Sequence, residues 1–148
     1  MLSQNVAVVG KAPPHDDDEF APGHGLAEIL RARLLGDGWL VSEPDAWRGS
    51  GWSLGCKSEG QELEIALVAA SDSEWILQIV PIYVPGWVGR LQGKGTSATP
   101  TACYTLARSV HSALVSLGGW SQFRWCWDAD PWSSPTTAEP TPPASEEL

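Results

Sequence analysis

Asp128-Ala129-Asp130 has the spacing of a carboxylate pair that grips a hard divalent cation. Pro131 follows at once, and transferases built on such a pair need a nucleotide-sugar pocket in a much longer chain. A polar strand terminus is therefore the simpler reading, and no metal site is expected. The run from Gly86 to Thr96 lies between an expected strand and an expected helix, where a phosphate-cradling loop would sit. Its spacing fails. Such a loop needs four residues between its glycines and then Gly-Lys-Ser/Thr, whereas three residues separate Gly89 from Gly93 and Gly95 parts Lys94 from Thr96. What survives is a basic loop ahead of a helix N-terminus, in which Arg90 and Lys94 are candidates to meet a small anion or an acidic side chain of a partner, with Trp87 beside them as a further partner-binding candidate.

Nucleophilic catalysis needs a Ser or Cys with a His base beside it. The three histidines are His15, His24 and His111. Cys103 precedes His111 by about two helical turns, roughly 12 Å of rise, which is too far for a nucleophile and its base. Cys56, Cys103 and Cys126 form no C-x-x-C, so they predict buried free thiols rather than a disulfide framework or zinc site. Glu62 and Glu64 share a sheet face, as a glycosidase pair would. Lys57 falls opposite Glu62, however, and a cross-strand ion pair accounts for the placement. No cofactor is implied.

The nine tryptophans, against two Phe and two Tyr, are the residual signal. Trp52 and Trp75 belong to an apolar sheet face and predict core. Phe123, Trp125 and Trp127 alternate along one strand as an aromatic ladder about 7 Å apart. That ladder suits a core under a helix, a Trp-rich protein interface, or a platform for sugar rings. Trp47, Trp87 and Trp132 fall in segments that read as loops or tail.

Two hairpins must position these groups, and their registers follow from the pattern. A two-residue turn at Glu59-Gly60 pairs Trp52 with Leu67, Leu54 with Ile65, Cys56 with Leu63 and Lys57 with Glu62. A three-residue loop at Ser71-Asp72-Ser73 pairs Ala69 with Trp75, Leu67 with Leu77 and Ile65 with Ile79. A slip of one residue in either would set Leu and Ile opposite Ser, Lys, Glu or Gln. The other face then carries Val68, Ile76, Val80 and Ile82 among Lys57, Glu62, Glu64 and Gln78. That is a mixed patch suited to a partner.

Leu26, Ile29, Leu30 and Leu34 predict a first helix, stopped at Gly36 or Gly38. Thr99 and Pro100 cap a second helix, with Cys103, Leu106, Ala107, Val110, Leu114 and Leu117 as its apolar stripe. A short strand is expected around Trp39 to Ser42 and a last one at Phe123 to Trp127. The fold class is α+β: an antiparallel sheet of four to five strands, a three-stranded meander at its centre, with two helices packed on one face.

The chain of 148 residues is one domain's worth. Residues 1–19 are expected to be a loose acidic segment and residues 131–148, rich in proline, a disordered acidic tail, leaving 20–130 as the domain. The two end segments, at -3 each with Lys11 counted, carry two thirds of the net charge of -9. This balance disfavours nucleic acid and anionic membrane and makes a basic protein partner easier. No signal-like or membrane-spanning run is present, which makes the cytoplasm the expected compartment. Element order and acidity resemble, at the level of fold alone, small secretion-chaperone-like and toxin-immunity-like α+β proteins. The expected function is a small non-catalytic protein-binding module, with a homodimer possible. The alternatives are a carbohydrate or small-ligand binder using the ladder, and a small enzyme of unknown class using Glu62, Glu64 or His111.

Overall fold

The computed structural model describes residues 3–14, 20–82 and 98–144. Among these, the chain runs β1 (Gln4–Val9), α1 (His24–Gly36), β2 (Leu40–Val41), β3 (Asp45–Trp47), β4 (Gly51–Ser58), β5 (Gln61–Ala69), β6 (Glu74–Pro81), α2 (Pro100–Leu117) and β7 (Ser121–Trp127). The class is α+β, with one antiparallel sheet ordered β2-β4-β5-β6-β1-β7 and β3 pairing beside β2 on the outer edge of β4. The sheet has seven strands rather than four to five. Two strands escaped the sequence reading: β3, only three residues long, and β1.

β4, β5 and β6 form the expected meander, in the expected register at every pair. The turn at Glu59-Gly60 explains the first. Its two residues have φ of 50° and 80°, the left-handed pair that twists a two-residue hairpin the right way, and glycine takes the second without strain. At the second hairpin Ser71 Oγ accepts from the backbone N–H of Glu74 at 3.1 Å, closing the loop locally.

β1 corrects the expectation of a loose segment over residues 1–19. Gln4–Val9 lies inside the sheet, hydrogen-bonded to β6 on one side and β7 on the other. Val6 and Val8 are buried in the core. Their β-branched side chains suit a central strand, and two flanking strands take up backbone groups that a lone six-residue segment would leave open, with a break in the β7 pairing at Val8.

Both helices cover the same face. The Cys103 thiol of α2 donates to the Ile79 carbonyl at 3.4 Å, and the His24 ring of α1 stands edge-on to Trp52 at 4.5 Å. Thr99 caps α2 as expected, its hydroxyl accepting from Ala102 N–H at 3.2 Å. Leu117, assigned to the apolar stripe, is instead exposed at the last turn of α2. Trp39, Trp52, Trp75 and Trp125 join Leu and Ile of the sheet in one core, with the Trp52 and Trp75 indoles donating to the carbonyls of Ala21 and Gly10.

The proline-rich tail is placed through residue 144 and follows the free edge of β7. Trp125 and Thr137 exchange both backbone hydrogen bonds, at 2.8 and 3.0 Å. The carbonyl of Thr141 accepts from Trp127 Nε1 and Gln4 Nε2. This segment is held by polar groups rather than apolar burial, so its composition gave no sign of it. Its prolines suit an edge position, where missing N–H donors do no harm.

Candidate functional site

With both helices on one face, no described helix covers the other face of the sheet. Strand pairing arranges this open face in rows. One row runs Trp47, Gly51, Val68, Ile76, Ala7 and Arg124 across β3, β4, β5, β6, β1 and β7. The next runs Asp45, Ser53, Ala66, Gln78, Asn5 and Cys126. Small residues at Gly51, Ser53, Ala66 and Ala7 keep the middle of the face low. Gly51 is fixed by its neighbours, because a Cβ there would stand 2.2 Å from the Leu67 carbonyl oxygen.

Higher walls rise at both ends of these rows. Trp47 on β3 forms one, with the Arg48 guanidinium 4.8 Å from the centre of its ring. The other is the segment 128–132, which leaves β7 and turns back over β1. Just beyond the last β1–β7 pair, the Asp128 N–H donates to the Ser3 carbonyl at 2.8 Å while the Asp128 side-chain Oδ1 accepts from Ser3 N–H in place of a carbonyl. The carbonyl of Ala129 then accepts from Asn5 Nδ2 at 2.9 Å and from the Cys126 thiol at 3.1 Å. Asp130 Oδ1 accepts from Trp132 N–H at 2.8 Å, a side-chain-closed turn that leaves the Trp132 ring exposed.

Between the walls lies a trough of about 750 Å³, lined by Ser3, Asn5, Trp47, Ala66, Val68, Ile76, Gln78 and the segment 128–132. It is apolar at the Trp47 end, over Val68 and Ile76, and polar at the other, around Ser3, Asn5, Asp128 and Asp130. Its two charged lining residues are both acids. Neither carboxylate has an ion-pair partner among the described residues; they accept from the backbone N–H groups of Ser3 and Trp132 and from the Ser3 hydroxyl. Asn5 is buried, and its Oδ1 has no hydrogen-bond partner among the described residues. Burial, and then the charges of Asp130 and Asp128, push the neighbouring Cys126 thiol up.

Groups with catalytic potential elsewhere are otherwise engaged. Lys57 and Glu62 pair at 3.2 Å. His111 uses Nδ1 to accept from Trp125 Nε1 at 3.1 Å. Burial pushes the Cys56 and Cys103 thiols up to about 12, far from the thiolate a nucleophile requires.

Of the residues singled out from sequence, Val68 and Ile76 line the trough, and Val80 stands on the same face, paired with Glu64 one row further on. Trp87, Arg90 and Lys94 lie outside the described residues. The aromatic ladder belongs to the helix-covered face. Trp125 is buried, which removes it as a partner-binding residue, and Phe123 and Trp127 pack half-buried against the core. Trp47 and Trp132, the loop tryptophans without an evident core to enter, meet as the opposite walls of one trough. Asn5 and Ser3 were missed. The run Asn5-Val6-Ala7-Val8-Val9, polar at its head and β-branched thereafter, was the signal that could have placed them on a strand.

Compared with protein-family models, curated proteins and solved structures, the chain matches none. Among the described residues no helix is long and apolar enough to cross a membrane.

Proposed function

We propose that the chain is a non-catalytic protein-binding module that takes its partner on the open face of the sheet. The observation that carries this reading is the trough between Trp47 and Trp132. Aromatic walls, Trp132 exposed and Trp47 half-buried, over an aliphatic floor of Val68 and Ile76 make the kind of surface that excludes water around a docked side chain. Half-buried Val80 beside it extends the apolar area beyond what scattered surface residues would give. A catalytic reading has less support, because His111, Glu62, Cys56 and Cys103 are each tied to structural partners or held protonated by burial. A sugar platform on the ladder has less support too, since its central ring, Trp125, lies under α2.

Quantitative capture from native lysate with three baits tests the reading: the wild-type chain, Trp47→Ala/Trp132→Ala, and Arg33→Ala on an exposed helix position remote from the trough. A protein retained by the first and third and lost from the second supports it. Identical retention on all three baits overturns it. Should the retained species be the chain itself, the partner is a second copy and the same face is a homodimer interface.

A further inference from the structure

We infer that the occupant of the trough is an extended segment of a partner polypeptide that presents a bulky apolar side chain and a lysine or arginine on the same side of its strand. This rests on the docking reading above and gives it a chemistry. Charge decides the first element. Asp128 and Asp130 are the charged residues of the lining, they stand together at one end, and neither meets a cation among the described residues. The nearest cation in the rows, Arg124, lies on β7 outside the lining, and Arg48 is laid against Trp47. An acidic segment or a phosphodiester would be repelled from that end, whereas an ammonium or guanidinium is attracted and hydrogen-bonded there.

The polarity gradient decides the second element. Val68, Ile76 and Trp47 offer only apolar contact, so the occupant must bury an apolar group about two strand spacings from its charge, roughly 10 Å. Residues i and i+2 of an extended chain lie about 7 Å apart on one side, and the long stem of Lys or Arg covers the remaining distance. The span decides the third. From β3 to β1 the trough crosses four strand spacings, roughly 19 Å, which five or six extended residues would fill. A small organic amine would engage the acids and leave the Trp47 end wet. An orphan acceptor in the lining, Asn5 Oδ1, favours an occupant with donors over a purely apolar one.

A randomised heptapeptide display library, selected at low salt on the immobilised full chain, tests this. Parallel selections use Asp128→Asn/Asp130→Asn, whose Oδ1 atoms still accept from Ser3 and Trp132, and Trp47→Ala/Trp132→Ala. Thermal melts establish that each variant is folded. The expected result is enrichment on wild type of peptides with Lys or Arg two residues from a large apolar residue, and loss of that enrichment on both variants. The best synthetic peptide should bind the Asn variant at least about tenfold more weakly, and n-butylamine should not displace it at comparable concentration. Equal enrichment on wild type and the Asn variant, with loss on the Trp variant, overturns the cationic chemistry and leaves the docking reading intact. Displacement by n-butylamine overturns the polypeptide assignment. If no peptide distinguishes wild type from the Trp variant, the docking reading falls and this inference with it.

Discussion

The indole of Trp125 on β7 donates to Nδ1 of His111 on α2 at 3.1 Å, so the proton of the neutral imidazole is on Nε2. One bond thus ties the second helix to the edge strand of the sheet. It exists only while the imidazole is neutral, because a protonated Nδ1 has no lone pair to offer.

This arrangement predicts a pH-dependent stability. Burial holds the His111 pKa below its ordinary value of about 6.5, against the opposing charge of Glu139, with Arg108 also lining the cleft over the ring. In the window below about 6.5 the unfolded chain binds the proton more readily than the folded one. Stability is therefore complete above that value and falls as pH drops through the window toward the folded-state pKa. Urea titrations from pH 7 to pH 5 should show the decline in wild type and a flatter profile in His111→Asn, whose Oδ1 can still accept from Trp125. An equal decline in both variants would rule His111 out as its source.

Cys56 and Cys103, with pKa values of about 12, should not react with a thiol reagent at pH 8 in the native state. Cys126, on the open face and less deeply buried, should label first. Mass spectrometry after a timed pulse reads the order, with complete labelling only in denaturant. Early labelling of Cys103 would contradict its placement between α2 and β6.

Removing residues 135–148 should destabilise the fold by about 1–3 kcal/mol. The truncation deletes the Thr137 and Thr141 contacts while keeping Trp132 and the trough wall. It also strips the free edge of β7, so self-association should rise with concentration. Equilibrium unfolding and analytical ultracentrifugation measure the two effects, and unchanged values in both would mean the tail only rests on the edge.

Thr99→Ala should cost about 1 kcal/mol by removing the cap of α2, whereas Lys57→Ala should cost less than about 0.5 kcal/mol because its ion pair with Glu62 is largely exposed. Urea midpoints of the two single variants make the comparison. A larger loss from Lys57 would mean that the pair is less screened than its exposure implies.

The sequence by itself determined the meander and its register, the two helices with the cap at Thr99, and the alternation that sends Val68, Ile76 and Val80 away from the core. Those features are local: each is decided by residues within one hairpin or one helix, where a one-residue slip carries an immediate burial penalty. It also marked Trp47, Trp132, Asp128 and Asp130, but as unrelated oddities of two loops and a strand end. Only the tertiary structure inserted Gln4–Val9 between β6 and β7, because pairing across more than a hundred residues to β7 leaves no periodic trace in a six-residue strand. That insertion joins β7 to the meander and, through the Ser3–Asp128 contacts and the Asn5 bond to Ala129, turns the segment 128–132 back over the open face. Trp132 and the two acids thereby stand across from Trp47. The trough is a product of long-range backbone pairing, whereas Trp47, Val68, Ile76, Asp128, Asp130 and Trp132 of its lining were individually visible from the start.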